Sequence, residues 1–181
     1  MKKIVFLLFI IVFTHLGSFG QEINWVSFEE AIELQKKTPK KIMMDMYTNW
    51  CGPCKMLDKN TFHNEDVVDY VNQNYYAVKF NAEGDGEINY KGKIFSNPSY
   101  KPELANRRNS LHELARYFQI QAYPTIVFLD EKGEMLAPIK GYQKPQQLEL
   151  YLKMFKEDDH KSIKTQEEFN SYYLAFKPEF Q

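Results

Sequence analysis

The chain has 181 residues, a formal net charge of −1 and 44% hydrophobic residues, which suits one domain with a real core and some decoration. The near-neutral balance offers no basic patch for nucleic acid or anionic membranes. Only two cysteines occur, Cys51 and Cys54. A structural zinc usually needs four ligands, and His63, His112 and His160 lie far apart without paired spacing, so no metal is expected.

Lys2 and Lys3 precede an apolar block from Ile4 to Phe13, and a more polar stretch ends at Ser18-Phe19-Gly20. This pattern predicts a signal peptide over 1–20, cleaved near Gly20, and an exported mature protein. The block is shorter than the ~20 residues of a membrane span. An uncleaved segment that tethers the protein to the membrane stays open, because Leu16 and Phe19 could lengthen the span. No cysteine follows the block to carry a bacterial lipid anchor. Export suits a compartment in which disulfides persist.

Ile23 to Val26 reads as a short strand. Ser27-Phe28-Glu29-Glu30 is a capping box for a helix that runs to about Lys37 and stops at Thr38-Pro39. Lys41 to Tyr47 is almost continuously apolar, as expected of a strand buried on both faces. Its methionines, Met43, Met44 and Met46, read as core filler, and Asp45 is the exception within it. Trp50-Cys51-Gly52-Pro53-Cys54 follows directly and opens a helix. Glu65 to Gln73 predicts a helix, Tyr75 to Asn81 a second buried strand, and Ser110 to Phe118 another helix. Thr125 to Asp130 is a third strand, Glu131-Lys132-Gly133 a turn, Glu134 to Lys140 an antiparallel partner, and Pro145 to about Phe155 a helix.

The order β-α-β-α-α-β-α-β-β-α predicts an α/β domain over 21–156 with a parallel core. Two segments fall outside that order. Residues 82–109, rich in Gly, Asn, Pro and Tyr, read as an insertion. Residues 157–181 carry a capping box at Thr165 and Glu168, and Phe169, Tyr172, Tyr173 and Phe176 at helical spacing, which predicts a docked helix.

A disulfide between Cys51 and Cys54 would close so short a loop that it removes little chain entropy, so stability is a poor reason for it and redox chemistry a better one. A free thiol has a pKa of about 8.5, and at a helix N-terminus values of roughly 3.5 to 7.5 occur. Cys51, at the helix start with a free sulfur face, is the expected nucleophile, and Cys54, one turn in, the resolving thiol. Gly52 allows close backbone approach, and Pro53 stiffens the first turn without losing a needed hydrogen bond. Trp50 either covers the pair or is an ordinary core aromatic. Asp45 either points into the core, where burial would raise its pKa, or marks a misplaced strand. Tyr47 and Phe62 could rim the same face, and His63 is either a proton source beside the motif or a surface histidine.

Taken in order, Asp45, Trp50-Cys51-Gly52-Pro53-Cys54-Lys55, Lys79, Tyr123-Pro124-Thr125 and Gly141 resemble the thioredoxin superfamily over about residues 23 to 155. The stretch from Asp45 through Thr61-Phe62, with Pro124 to Asp130 later, is most similar to exported thioredoxin-like domains such as the C-terminal periplasmic domain of the thiol:disulfide interchange protein DsbD. The resemblance implies a thioredoxin-like fold, with a central mixed sheet flanked by helices, an insertion before the cis-proline strand and an extra C-terminal helix.

It also implies roles. Asp45 would take the proton of Cys54 with Lys79 nearby, although a merely structural Asp45–Lys79 pair stays open. Pro124 would be cis and lie against the cysteines, keeping metal ions off them. Tyr123 would offer backbone groups to an extended client, with Trp50, Gly52 and Pro53 on the same substrate-binding face. The Gly-Pro dipeptide implies a reductant of disulfide-containing client proteins rather than an oxidant. A disulfide oxidase or isomerase, or a non-catalytic chaperone or assembly module, are the alternatives. No nicotinamide or flavin fingerprint is visible, so no cofactor beyond the redox pair is expected. Electrons would then come from a membrane donor protein such as a DsbD-like transporter, and the protein would act as a monomer.

Overall fold

The computed structural model describes residues 22–181, and the expected signal peptide lies outside them. Among the described residues no helix is long and apolar enough to cross a membrane. The core is a five-stranded sheet in the order β1-β3-β2-β6-β7, with β1 at Trp25–Val26, β2 at Lys41–Tyr47, β3 at Tyr75–Asn81, β6 at Thr125–Leu129 and β7 at Met135–Lys140. β1, β3 and β2 run parallel, whereas β6 and β7 run antiparallel to their neighbours, which makes the sheet mixed.

Side chains alternate across β2, so its two faces feed two cores. Ile42, Met44 and Met46 pack with Phe28 and Ala31 of α1 (Phe28–Lys37) and Leu114 and Ala115 of α4 (Glu113–Tyr117). Met43 faces the other way, toward Leu57 of α2 (Gly52–Asn60), Val67 and Val71 of α3 (Glu65–Asn74), and Leu148 and Leu152 of α5 (Pro145–Lys156). Asp45 shares the Met43 face by the same alternation, and this aims a carboxylate at the helix that carries the cysteines.

Helix starts follow local chemistry. Ser27 Oγ accepts the Glu30 N–H at 3.1 Å, and Asn64 Oδ1 accepts the Val67 N–H at 3.2 Å, each satisfying an amide that has no partner within its helix. The helix expected from Ser110 begins three residues later, at Glu113. His112 is its cap: Nδ1 accepts the Leu114 N–H at 3.0 Å, which leaves Nε2 to donate to the Gly86 carbonyl at 2.7 Å.

Residues 82–109 are not simply a loop outside the element order. They form a two-stranded hairpin, β4 (Ile88–Tyr90) with β5 (Lys93–Phe95), turned at Lys91 and Gly92, both with positive φ. Ile88, Tyr90 and Phe95 are buried in the α1–α4 core. Asn97 stitches the two ends of the segment, donating to the carbonyls of Gly84 at 2.9 Å and Ser110 at 2.8 Å. The insertion is therefore anchored on the core and closed at its base.

In the tail, α6 (Gln166–Ala175) begins with the Thr165–Glu168 capping box and rests Phe169 and Tyr172 against the α5 core. It buries no residue completely, and Leu174 is 82% exposed. The firmer contact comes from the final residues. The buried carboxylate of Glu149 accepts the backbone N–H groups of Glu179 and Phe180, both at 2.9 Å, and pairs with Lys153 at 2.7 Å. Phe180 packs on Tyr70, ring centroids 5.8 Å apart.

Because His112 is fully buried and ends two backbone obligations at once, His112→Ala should lower stability by about 3 kcal/mol through a cavity and two orphaned groups. Urea unfolding monitored by circular dichroism measures this. A loss under about 0.5 kcal/mol would mean that water replaces the ring without penalty.

Candidate redox site

The site assembles at one end of the central strands because of strand direction. β2 and β3 are parallel, so both end there, and β6 is antiparallel to β2, so it begins there, with Met46 opposite Thr125. The cysteine motif leaves β2, the Asn81-Ala82-Glu83 stretch leaves β3, and Tyr123-Pro124 enters β6. The Ala82 N–H donates to the Tyr47 carbonyl at 2.8 Å, which keeps the two exits together. The Tyr123–Pro124 peptide is cis. Gly141, at φ +87°, donates its N–H to the Pro124 carbonyl at 2.8 Å and holds the proline loop from the β7 side.

Cys51 and Cys54 form a disulfide with Cα atoms 5.3 Å apart. Cys51 is the N-cap of α2, and its Sγ accepts the Cys54 N–H at 3.1 Å, so the sulfur occupies the place where a helix N-terminus favours negative charge. Pro53 lies in the first turn, where no donor is missed. A Cβ at Gly52 would meet nothing within 4 Å, so this position leaves the outer approach to the pair unobstructed. The expected free sulfur face on Cys51 needs correction: the residue is only 2% exposed and is reached through a cleft.

Two clefts meet the pair from different sides. The first, of about 470 Å³, brings together Cys51, Gly52, Pro53, Trp50 and Tyr123 with two insertion-side residues, Glu83 and Arg108. The Trp50 indole N–H donates to Glu83 Oε2 at 2.7 Å, and its ring meets Tyr123 edge-on at 5.9 Å. The same Glu83 oxygen accepts the Asn109 N–H at 2.8 Å. Burial, followed by the Glu83 charge and hydrogen bond, raises the Tyr123 pKa. The Arg108 guanidinium lies over the Trp50 ring at 5.0 Å. Trp50 is thus a wall of the cleft and not a core aromatic.

The second cleft reaches Cys54 from below and is lined by Asp45, Tyr47, Asp58 and Lys79, with Asn106 from the insertion at its rim. Asp45 is 1% exposed, and its Oδ1 has no hydrogen-bond partner among the described residues. Burial raises its pKa to about 7; the Lys79 charge opposes this and the Asp58 charge adds to it. Lys79 stands opposite Asp45 in the β2–β3 register, but its ion pair is with Asp58, and it also lies over the Trp25 and Tyr47 rings at 5.2 and 5.9 Å. A direct Asp45–Lys79 salt bridge is therefore not the arrangement.

Phe62 belongs to the core, edge-on to Trp25 at 5.2 Å, and does not rim the site. His63 lies beyond the far end of α2 with Nδ1 against the Asp58 carbonyl at 2.7 Å, and lines neither cleft. Four participants were not anticipated: Asp58, Glu83, Asn106 and Arg108. Asp58 had a legible signal, since it follows Cys54 by one helical turn and so shares its face. Glu83 follows from the β3 exit once β3 is placed beside β2. The positions of Asn106 and Arg108 depend on how the insertion folds back. Among the described residues no group of three His, Cys, Asp or Glu side chains is placed to hold a metal ion.

An Asp that ionises near pH 7 when folded and near 3.8 when unfolded binds its proton more tightly in the native state. Its favourable contribution is complete below the unfolded value and is lost as pH rises through about 7. In the oxidised protein, Asp45→Asn should therefore gain stability on the order of 2 kcal/mol at pH 8 relative to the wild type, and the gain should vanish below about pH 4. Chemical denaturation at several pH values reads this difference. A difference that does not vary with pH would place the Asp45 pKa near the ordinary carboxylate range.

Residues 28–156 match the family of thioredoxin-like domains. The chain is 28% identical over 124 residues to the thiol:disulfide interchange protein DsbD of Actinobacillus pleuropneumoniae, covering 65% of this chain and 17% of that protein. It is 25% identical over 128 residues to a thioredoxin-like protein of Synechocystis, covering 71% and 93%. Among solved structures, a thioredoxin-fold protein from Helicobacter pylori matches with a TM-score of 0.54 at 20% identity, covering 75% of this chain and 81% of that one. The chain therefore corresponds to a minor part of the DsbD proteins it matches, and the Helicobacter likeness bears on fold alone. With the mixed sheet, the flanking helices and the Cys51–Cys54 disulfide at the head of α2, the chain belongs to the thioredoxin-like domain family.

Proposed function

We propose that this protein is an exported thiol–disulfide oxidoreductase that reduces disulfides in client proteins. The observation that carries the reading is the division of labour between the two clefts: one opens on Cys51 beside the Tyr123–Pro124 strand end, and the other opens on Cys54 beside the buried Asp45. The family membership and the similarity to proteins named for thiol:disulfide interchange support it. The leader-like residues 1–20 support export.

In the reduced protein, the helix N-terminus stabilises the Cys51 thiolate. The thiolate attacks one sulfur of a client disulfide, the client S–S bond breaks, one client sulfur leaves as a thiolate, and Cys51 is joined to the other. Asp45 takes the Cys54 proton. The Cys54 thiolate then attacks Cys51 Sγ, releases the second client thiolate, and closes the Cys51–Cys54 disulfide. Two electrons have passed from the dithiol to the client, and the two client thiolates take up protons from Asp45 and solvent. An extended client segment would pair with backbone groups at Tyr123, in the manner of an added strand. Re-reduction needs two electrons from another protein, and a membrane thiol donor of the DsbD type fits that need.

The purified protein should reduce insulin disulfides when supplied with a small dithiol, and Cys51→Ser should abolish this. Cys54→Ser should accumulate a client mixed disulfide at Cys51 that added thiol releases. Asp45→Asn should slow resolution of that intermediate about a hundredfold at pH 7, the deficit shrinking toward pH 9 as the Cys54 thiol ionises unaided. Full biological activity in a strain that carries Cys51→Ser with Cys54→Ser would exclude catalysis as the function. A reduction potential well above the glutathione couple would assign an oxidase or isomerase instead.

A further inference from the structure

We propose that Arg108 is a specificity residue that favours client disulfides with an acidic side chain next to the target cysteine. The inference rests on the reductase reading above and adds a substrate class to it. Arg108 belongs to the segment 82–109, which the fold brings back over the cysteine motif. The Asn49 side chain donates to the Ala105 carbonyl at 2.9 Å, and the Asn109 N–H donates to Glu83 at 2.8 Å, so the chain on both sides of Arg108 is tied to the site. The guanidinium lies on the face of Trp50, 5.0 Å from the ring centroid, and lines the cleft that opens on Cys51.

Two charged side chains face that cleft, and they are used differently. Glu83 is half-buried, and Oε2 already accepts from the Trp50 indole and the Asn109 amide. That oxygen is thus engaged in holding the wall. Arg108 is exposed and, among the described residues, forms no ion pair and no side-chain hydrogen bond, so its donors are available to a ligand. Gln121, which also lines this cleft, accepts from Lys140 at 3.4 Å, which adds a second cation nearby. A client strand paired at Tyr123 has to enter this cleft for its sulfur to reach Cys51. A carboxylate one or two residues from that sulfur meets a positioned planar donor, whereas a client lysine there meets repulsion. The exchange step itself is the two-electron dithiol reaction already described.

The test uses three intramolecularly bridged peptides that differ only in the residue beside one cysteine, Glu, Gln or Lys. The second-order rate of reduction by the pre-reduced protein is followed through Trp50 fluorescence. At low ionic strength the wild type should reduce the Glu peptide about tenfold faster than the Lys peptide, and the ratio should fall toward one as salt rises. Arg108→Ala should collapse the ratio and Arg108→Glu should invert it. Arg107→Ala, which removes a neighbouring cation that does not line the cleft, should keep it. Each ratio compares two peptides on one protein, so partial loss of folded variant cancels. A wild-type ratio near one, a ratio that survives Arg108→Ala, or one lost equally in Arg107→Ala overturns the assignment. If the wild type reduces none of the peptides, the reductase reading falls as well; if it reduces all three alike, only the specificity claim falls.

Discussion

A carboxylate in the middle strand of a five-stranded sheet is the constraint around which the rest is arranged. Asp45 has apolar neighbours along β2, no hydrogen bond at Oδ1 among the described residues, and a pKa of about 7. Leaving a buried polar atom unpaired is unfavourable, and such atoms are rare in native interiors. The packing of two apolar cores on either face of β2 holds it there regardless. A group that changes charge near neutral pH, one strand away from a lysine and one helix away from a sulfur, is chemically poised in a way that a surface aspartate is not. The stability that the Met, Val and Phe side chains supply is what allows that unfavourable placement to persist.

Much of this was readable from residues alone, and the reasons differ by element. β2 was legible because a strand with neighbours on both sides and helices on both faces must be apolar throughout, and Lys41 to Tyr47 is, apart from Asp45. α1 and α6 were legible at their starts because Ser27 and Thr165 display their caps locally. The hairpin at 88–95 was not, since strands of three residues are too short for period-two alternation to register, and their stability comes from Phe28 and Phe118, far away in sequence. α4 starts later than Ser110 because a histidine caps it, and histidine is not among the residues that signal a helix start locally.

The same distinction divides the candidate site. Cys51, Cys54, Trp50 and Pro53 are consecutive or nearly so, and their spacing alone expresses their geometry. Tyr123 and Pro124 are distant in sequence, and a family resemblance connects them to the cysteines where local pattern could not. Glu83 and Arg108 belong to neither class. They arrive through the parallel pairing of β2 with β3 and through the return of a segment whose composition reads as irregular, so nothing short of the folded arrangement places them at the cysteines. Lys79 shows the limit from the other side: its register position beside Asp45 is right for a direct pair, yet Asp58, invisible to a strand-by-strand reading, takes the ammonium.

The two openings onto the disulfide lie on different sides of the helix start, one facing the proline loop and the other facing the carboxylate. On the proposed reading, a client and a proton would use separate openings. A client lodged over Cys51 would then leave the rear entrance in contact with solvent, so hydrogen ions could come and go while the front is shut, and the acid–base state of the interior would not be hostage to the departure of the visitor.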